Sequence, residues 1–209
     1  MRIIVSGVKG SGKTTVIQLV KKKFPEVKIF NFGNYIKKSI ENKYPKLTRD
    51  QWDKNIPFKE HEKFQKMAAK YIAKEMKNSK YSIIDTNLLF KKPIGILPGL
   101  SEEVLKILKP DLIAIMDYRP EDVLERRLKD IKISKSEKTE IGTISSHRER
   151  DVETVKEIEL EQTIQREFLI TYTAMTGTIL KIINLRFKEN YEFEHTEIAA
   201  EEIIKILKD

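Results

Sequence analysis

The sequence predicts an α/β fold: three layers, α/β/α, around a five-stranded, mostly parallel sheet. Three observations predict it. The 209 residues suit one domain with insertions. Five short apolar runs alternate with helix-period stretches, the rhythm of parallel strands joined by crossover helices. A glycine-rich turn separates the first strand from the first helix.

The strand runs are Ile3–Ser6, Val27–Phe32, Tyr81–Thr86, Asp111–Asp117 and Thr178–Asn184. Each is apolar on successive residues, as expected of strands covered on both faces. Helical patterns occupy Lys13–Phe24, Asn34–Lys43, Phe58–Asn78, Ser101–Leu108 and Pro120–Lys129. A long one follows at Asp151–Met175, and a last one at His195–Leu207. Ser101, followed by Glu102 and Glu103, makes a good helix start, and Pro120 suits a first-turn position. Two stretches break the rhythm. Lys43–Phe58 is polar and punctuated by proline; Asp130–Arg150 is rich in Lys, Ser, Thr and Glu. Both read as insertions in a single domain spanning 1–209: an acceptor-binding insertion within about 32–80, and a lid at about 130–150.

Composition narrows the function. There is no cysteine, which excludes disulfides and thiolate metal sites. The three histidines are far apart in sequence and read as surface residues. No apolar run approaches the roughly 20 residues of a membrane span, and the N-terminus runs straight into the glycine-rich turn without a leader, so a cytoplasmic protein is expected. The net charge is +8, but the lysines are dispersed among glutamates with no aromatic-rich basic stripe, so nucleic-acid binding is not expected.

The chemistry is concentrated in Gly7-Val8-Lys9-Gly10-Ser11-Gly12-Lys13-Thr14, which matches G-x-x-x-x-G-K-[ST] without exception. The strand Ile3-Ile4-Val5 precedes it and a helical pattern follows. Glycines let the backbone wrap a phosphate, and the helix N-terminus adds positive dipole. The fold is therefore that of a P-loop NTPase, and ATP is the expected ligand of Gly7 through Thr14 and the adjacent Thr15. Lys13 is the catalytic cation on the β- and γ-phosphates, and Thr14 supplies a Mg²⁺ ligand. Asp85, ending an apolar strand, is the second candidate Mg²⁺ ligand, and Asp117 a weaker one. Asn42-Lys43-Tyr44-Pro45 lacks the Asp of a guanine reader.

Five of the nine arginines fall between positions 126 and 166. Arginine offers a rigid bidentate fork to phosphate that lysine lacks. Arg126, Arg148, Arg150 and Arg166 are read as phosphate contacts, Arg126 and Arg148 toward ATP; Arg127 is read as a surface ion-pair residue. No general base stands out, and none is needed when the acceptor is itself a phosphate.

These residues resemble the archaeal-type adenylate kinases along nearly the whole chain. The resemblance rests on the phosphate loop, Asn31-Phe32-Gly33, Ile84-Asp85-Thr86, Leu97-Pro98-Gly99-Leu100, Arg126-Arg127-Leu128-Lys129-Asp130, Arg148-Glu149-Arg150-Asp151, Arg166 and Met175-Thr176-Gly177. It implies reversible, Mg²⁺-dependent transfer of the ATP γ-phosphate to AMP, catalysed by Lys13, Arg126, Arg150 and Arg166. It also implies a homotrimer and a nucleoside-monophosphate site at Phe32, Gly33, Asn87, Lys91, Gly95, Leu97, Pro98 and Gly99. Departures from the family pattern gather on the acceptor side: Asn87 stands for a histidine, Ile96 for a tyrosine and Asp53 for a basic residue, with Arg49, Lys54 and Lys91 nearby in sequence or element. Two alternatives stay open: a kinase for another nucleoside monophosphate, and an adenylate-kinase-like ATPase acting in RNA or ribosome assembly.

Overall fold

The computed structural model describes residues 1–46, 56–92, 95–129 and 153–209. Five parallel strands form the main sheet: β1 (Arg2–Ser6), β2 (Lys28–Asn31), β3 (Ser82–Asp85), β6 (Leu112–Tyr118) and β7 (Ile179–Leu185), in the order β2-β3-β1-β6-β7. All five strands expected from the sequence are present. A short antiparallel hairpin, β4 (Leu89–Lys92) with β5 (Gly95–Pro98), stands apart from the sheet; this stretch was expected only as a loop.

The helices are α1 (Lys13–Lys23), α2 (Phe32–Lys43), α3 (Phe58–Met76), α4 (Glu102–Leu108), α5 (residues 120–129), α6 (Val155–Thr176) and α7 (Glu194–Lys208). Helix α2 begins two residues earlier than expected because Asn31, at the end of β2, caps it: its Oδ1 accepts from the Asn34 N–H at 3.0 Å. At α4 the Ser101 side chain accepts from the Val104 N–H, as the sequence suggested. Helix α6 opens with a capping box, Thr154 and Glu157 bonding reciprocally.

Side-chain alternation along each strand feeds two separate cores. Ile4, Ile84, Ile113 and Ile115 face a cluster with α2, α3, α4 and the C-terminal half of α6. Ile3, Val5, Ile83, Ala114 and Met116 face Val16, Ile17 and Val20 of α1 and Ala199, Ala200, Ile203 and Leu207 of α7. The two cores lock the strands in register, and the register positions the chemistry. Asn31 pairs with Asp85, and Val5 pairs with Asp85 on the other side. The carboxyl ends of β1, β2 and β3 therefore meet at one edge, beside the glycine-rich turn, where open α/β sheets bind ligands.

Candidate active site

The turn after β1 is held by few contacts of its own. The Ser11 N–H donates to the Val8 carbonyl at 3.2 Å, and the Val16 N–H to the Gly12 carbonyl at 3.2 Å. Gly10 and Gly12 adopt φ of 77° and 78°, a left-handed conformation that side chains strain to reach. A Cβ on Gly10 would also meet Arg127 Cγ at 2.6 Å. Arg127 braces the turn from behind, its Nε donating to the Lys9 carbonyl at 2.8 Å. It is 6% exposed and paired with Glu153 and Glu161. The surface position read from the sequence is thus corrected: Arg127 follows Val123 by four residues and shares its buried face.

Lys13 projects from the first turn of α1 and forms an ion pair with Asp85. The other oxygen of Asp85 accepts from Asn31 Nδ2 at 2.7 Å. One amide thus orients the carboxylate and caps α2. Ser11 Oγ is buried with no hydrogen-bond partner among the described residues, a hydroxyl suited to a phosphate oxygen. Thr14 is exposed toward the same space.

That space is a cavity of about 600 Å³, within the range of small-ligand sites. Its floor is the turn from Val8 to Thr15. One wall is the start of α2 with Asp85, Thr86, Asn87 and Phe90; the other is Arg126 and Lys129 with Glu189, Glu192, Phe193 and Thr196 before and within α7. Arg126 lies over the Tyr118 ring at 4.8 Å from its centroid, with NH1 3.4 Å from the Ser11 carbonyl. Burial pushes the Tyr118 phenol well above its usual range, so it stays neutral under the cation.

A family model described as an AAA domain matches residues 6–145. The chain is 35% identical over 208 residues to the adenylate kinase of Pyrobaculum aerophilum, covering 99% of this chain and 96% of that protein. It is 36% identical over 208 residues to the adenylate kinase of Pyrococcus horikoshii, covering 98% and 94% respectively. The chain belongs to the adenylate kinase family. Among solved structures it is similar to a shikimate kinase from Aquifex aeolicus, with a TM-score of 0.54 and 17% identity over 100% of this chain and 96% of that one, a likeness of fold.

The residues anticipated for such an enzyme divide into three groups. Val8, Lys9, Gly10, Ser11, Gly12, Lys13, Thr14, Thr15, Phe32, Gly33, Asp85, Asn87 and Arg126 all line this cavity. Gly7, at the end of β1, is outside its lining, as are Gly95, Leu97, Pro98 and Gly99 of the hairpin. Gly99 instead packs on the backbone of the cavity wall: its N–H donates to the Leu88 carbonyl at 2.7 Å, and a Cβ there would stand 2.0 Å from the Asn87 carbonyl oxygen. Ile96 is exposed in β5. Lys91 belongs to β4, and its side chain lies outside the description. Arg166 is also away from the cavity lining. Its NH1 bonds Asp117 at 2.7 Å and its NH2 bonds Glu159 at 3.2 Å, in a network that Arg186 completes. Arg148, Arg150, Arg49, Asp53 and Lys54, and the whole lid stretch 130–150, lie outside the described residues.

Four contributors carry no role that the sequence alone assigns. Asn31 stands out there only within Asn31-Phe32-Gly33. Arg186, Glu189 and His195 carry no local motif. Each finds its partner through the fold; Arg126 and His195, for example, are 69 positions apart. The histidine is 1% exposed rather than at the surface.

Proposed function

We propose that this chain is an adenylate kinase, interconverting ATP plus AMP with two ADP. One observation carries the reading: a single cavity joins the phosphate loop, with Lys13, Thr14 and Arg126, to the start of α2 and the loop after β3. Donor and acceptor phosphates meet where cations converge. An anionic oxygen of the AMP phosphate attacks the γ-phosphorus, the bond from phosphorus to the β–γ bridging oxygen breaks, and ADP leaves with that electron pair. The attacking oxygen is already deprotonated, so no base is required.

Lys13 neutralises the β- and γ-phosphates and Arg126 the charge developing on the transferred group. Phosphate oxygens compete with Asp85 for Lys13, which frees the carboxylate. Thr14 and Asp85 would then hold Mg²⁺. Their donor set fits: a hydroxyl and a carboxylate in one cavity are hard oxygen donors of the kind Mg²⁺ takes. Held there, Mg²⁺ would supply positive charge to neutralise the phosphates. We assign residues about 32–80 to the acceptor-binding insertion and about 130–150 to the lid, and keep Arg148 and Arg150 as phosphate contacts of the proposal. Arg166 reaches phosphate by leaving Asp117.

A cytoplasmic location belongs to this proposal, with ATP and AMP as its substrates. No helix among the described residues is long and apolar enough to cross a membrane. A homotrimer would cover Ile170, Met175 and Ile179, each more than half exposed at the end of α6 and the start of β7.

The test is ADP formation from ATP and Mg²⁺ with AMP, CMP, UMP, GMP or dAMP as acceptor. AMP-dependent turnover that falls by about 100-fold or more in Lys13→Ala is expected. Turnover with another acceptor alone would make Asn87 and the acceptor wall a different specificity filter. Slow hydrolysis regardless of acceptor would reject the kinase.

A further inference from the structure

We infer that His195 is a positioning residue for Arg126: a buried neutral imidazole that aims the guanidinium into the cavity and holds it off a closer pair with Glu189. The inference rests on the reading of Arg126 as a group that neutralises transferred phosphate.

The tautomer follows from the partners. His195 Nε2 lies 2.9 Å from the Phe187 carbonyl, which only accepts, so Nε2 carries the proton. Nδ1 lies 2.8 Å from Arg126 NH2, and a guanidinium only donates, so Nδ1 presents its lone pair. Both bonds are satisfied together only by the neutral ring. The ring is fixed by edge contacts with Tyr118 at 5.5 Å and Phe187 at 4.6 Å between centroids.

The choice of acceptor has an electrostatic consequence. Glu189 already pairs with Arg126 at longer range, its Oε2 3.4 Å from NH2, while its Oε1 accepts from the His195 backbone N–H at 2.9 Å and lies 3.4 Å from Nδ1. Were Nδ1 absent, the nearest strong acceptor for Arg126 would be this carboxylate. A close pair with it would turn the fork away from the Ser11 carbonyl and cancel the charge that phosphate needs. A neutral acceptor at 2.8 Å orients the cation and keeps its pair with Glu189 at the longer 3.4 Å. His195, near the start of α7, thus couples that helix to the phosphate chemistry through one lone pair.

Two substitutions separate this role from simple anchoring. His195→Asn keeps an oxygen acceptor near the Nδ1 position and loses the bond to Phe187. His195→Gln keeps a donor near the Nε2 position and loses the acceptor for Arg126. With saturating ATP, Mg²⁺ and AMP, His195→Gln is expected to lower kcat about 10- to 100-fold with little change in the KM for ATP, and His195→Asn less than about threefold. In an Arg126→Ala background the difference between the two should vanish. The reverse order, or equal losses, would show that the histidine only anchors the Phe187 loop and would overturn the inference while leaving Arg126 in its role. Wild-type kcat in Arg126→Ala itself would overturn both. Nitrogen-15 NMR of the unmodified protein gives an answer that does not depend on variants folding: a proton on Nε2 and a bare Nδ1 support the assignment, and a proton on Nδ1 refutes it.

Discussion

Asn31 shows how much one side chain does here. Its oxygen caps α2 through the Asn34 N–H, and its nitrogen holds Asp85 at 2.7 Å. Asparagine suits both tasks because its amide offers an acceptor and a donor on opposite sides. Serine caps a helix about as well but cannot reach Asp85; alanine does neither. Asn31→Ala should therefore be less stable than Asn31→Ser by about 1 kcal/mol, measured by urea unfolding. Both should need more Mg²⁺ for half-maximal rate, because both leave Asp85 without its orienting bond. Equal Mg²⁺ requirements in wild type and Asn31→Ser would remove Asp85 from the metal site. The sequence announced Lys13, Thr14 and Asp85 because a phosphate loop has a fixed local register and a strand-end carboxylate is visible beside it. Asn31 was legible only as part of Asn31-Phe32-Gly33, since its second bond spans 54 positions. His195 was hidden altogether: a lone histidine near a helix start carries no sign of a ring buried between Tyr118 and Phe187.

The hairpin of β4 and β5 illustrates what alternation alone does not reveal. Two prolines and two glycines within Pro93–Gly99 read as a loop, yet Leu89 pairs with Pro98 and Phe90 with Leu97 across an antiparallel ladder. Pro98 is tolerated because the ladder has only two strands and it lies at the strand end. What ties the hairpin to the cavity is Gly99. With no Cβ it closes on the Asn87 and Leu88 backbone, and Gln65 of α3 donates to its carbonyl at 3.1 Å. Gly99→Ala places a methyl 2.0 Å from the Asn87 oxygen, so the backbone must move. The expected cost is about 1–3 kcal/mol of stability. Because Asn87 lines the acceptor wall, the KM for AMP should rise while that for ATP stays within about twofold, as distant sites act independently. A parallel rise in both constants would mean the hairpin supports the whole cavity and not its acceptor side. The helices themselves were far more legible, since their apolar spacing and caps are local. The buried polar stripe of α6, Glu161, Gln162 and Gln165, was not: Gln162 bonds both the N–H and the carbonyl of Tyr118 at 3.0 Å, a pairing that hydrophobic periodicity does not encode.

Across the molecule, the left half of the sheet carries the cavity and the right half is cross-braced by charge. Asp117 is the last residue but one of β6, Arg186 follows β7, and Arg166 and Glu159 stand on α6. Arg186 Nε bonds Asp117 at 2.9 Å, and its NH2 bonds both oxygens of Glu159 at 2.8 and 2.9 Å. Partial burial alone would push the Glu159 carboxyl up; hydrogen bonds from Arg186 and then Arg166 outweigh it and hold the group below its ordinary 4.5. A carboxyl depressed in the folded state stabilises the fold above the unfolded value, here about 4.5, and loses that contribution as pH falls through the lower folded value. The Glu159 side chain is 38% exposed, so solvent screens the pair and its worth stays below about 1 kcal/mol. For a chain of this length that is roughly 2–4 °C in Tm. Glu159→Gln should accordingly melt a few degrees lower than wild type at pH 7, and the two curves should converge as the pH is taken from 5 toward 3. A gap that persists at pH 3 would assign the loss to packing. Closure of the gap would identify charge as the tie between α6 and the two strands, the same tie that Arg166 must give up to serve as a phosphate clamp. The variant's effect on turnover then has a definite sign. With Glu159 neutral, Arg166 keeps its bonds to Asp117 and Thr163 but loses one charge partner, so kcat should rise or hold where Arg166 joins the reaction, whereas Arg166→Ala should lower it.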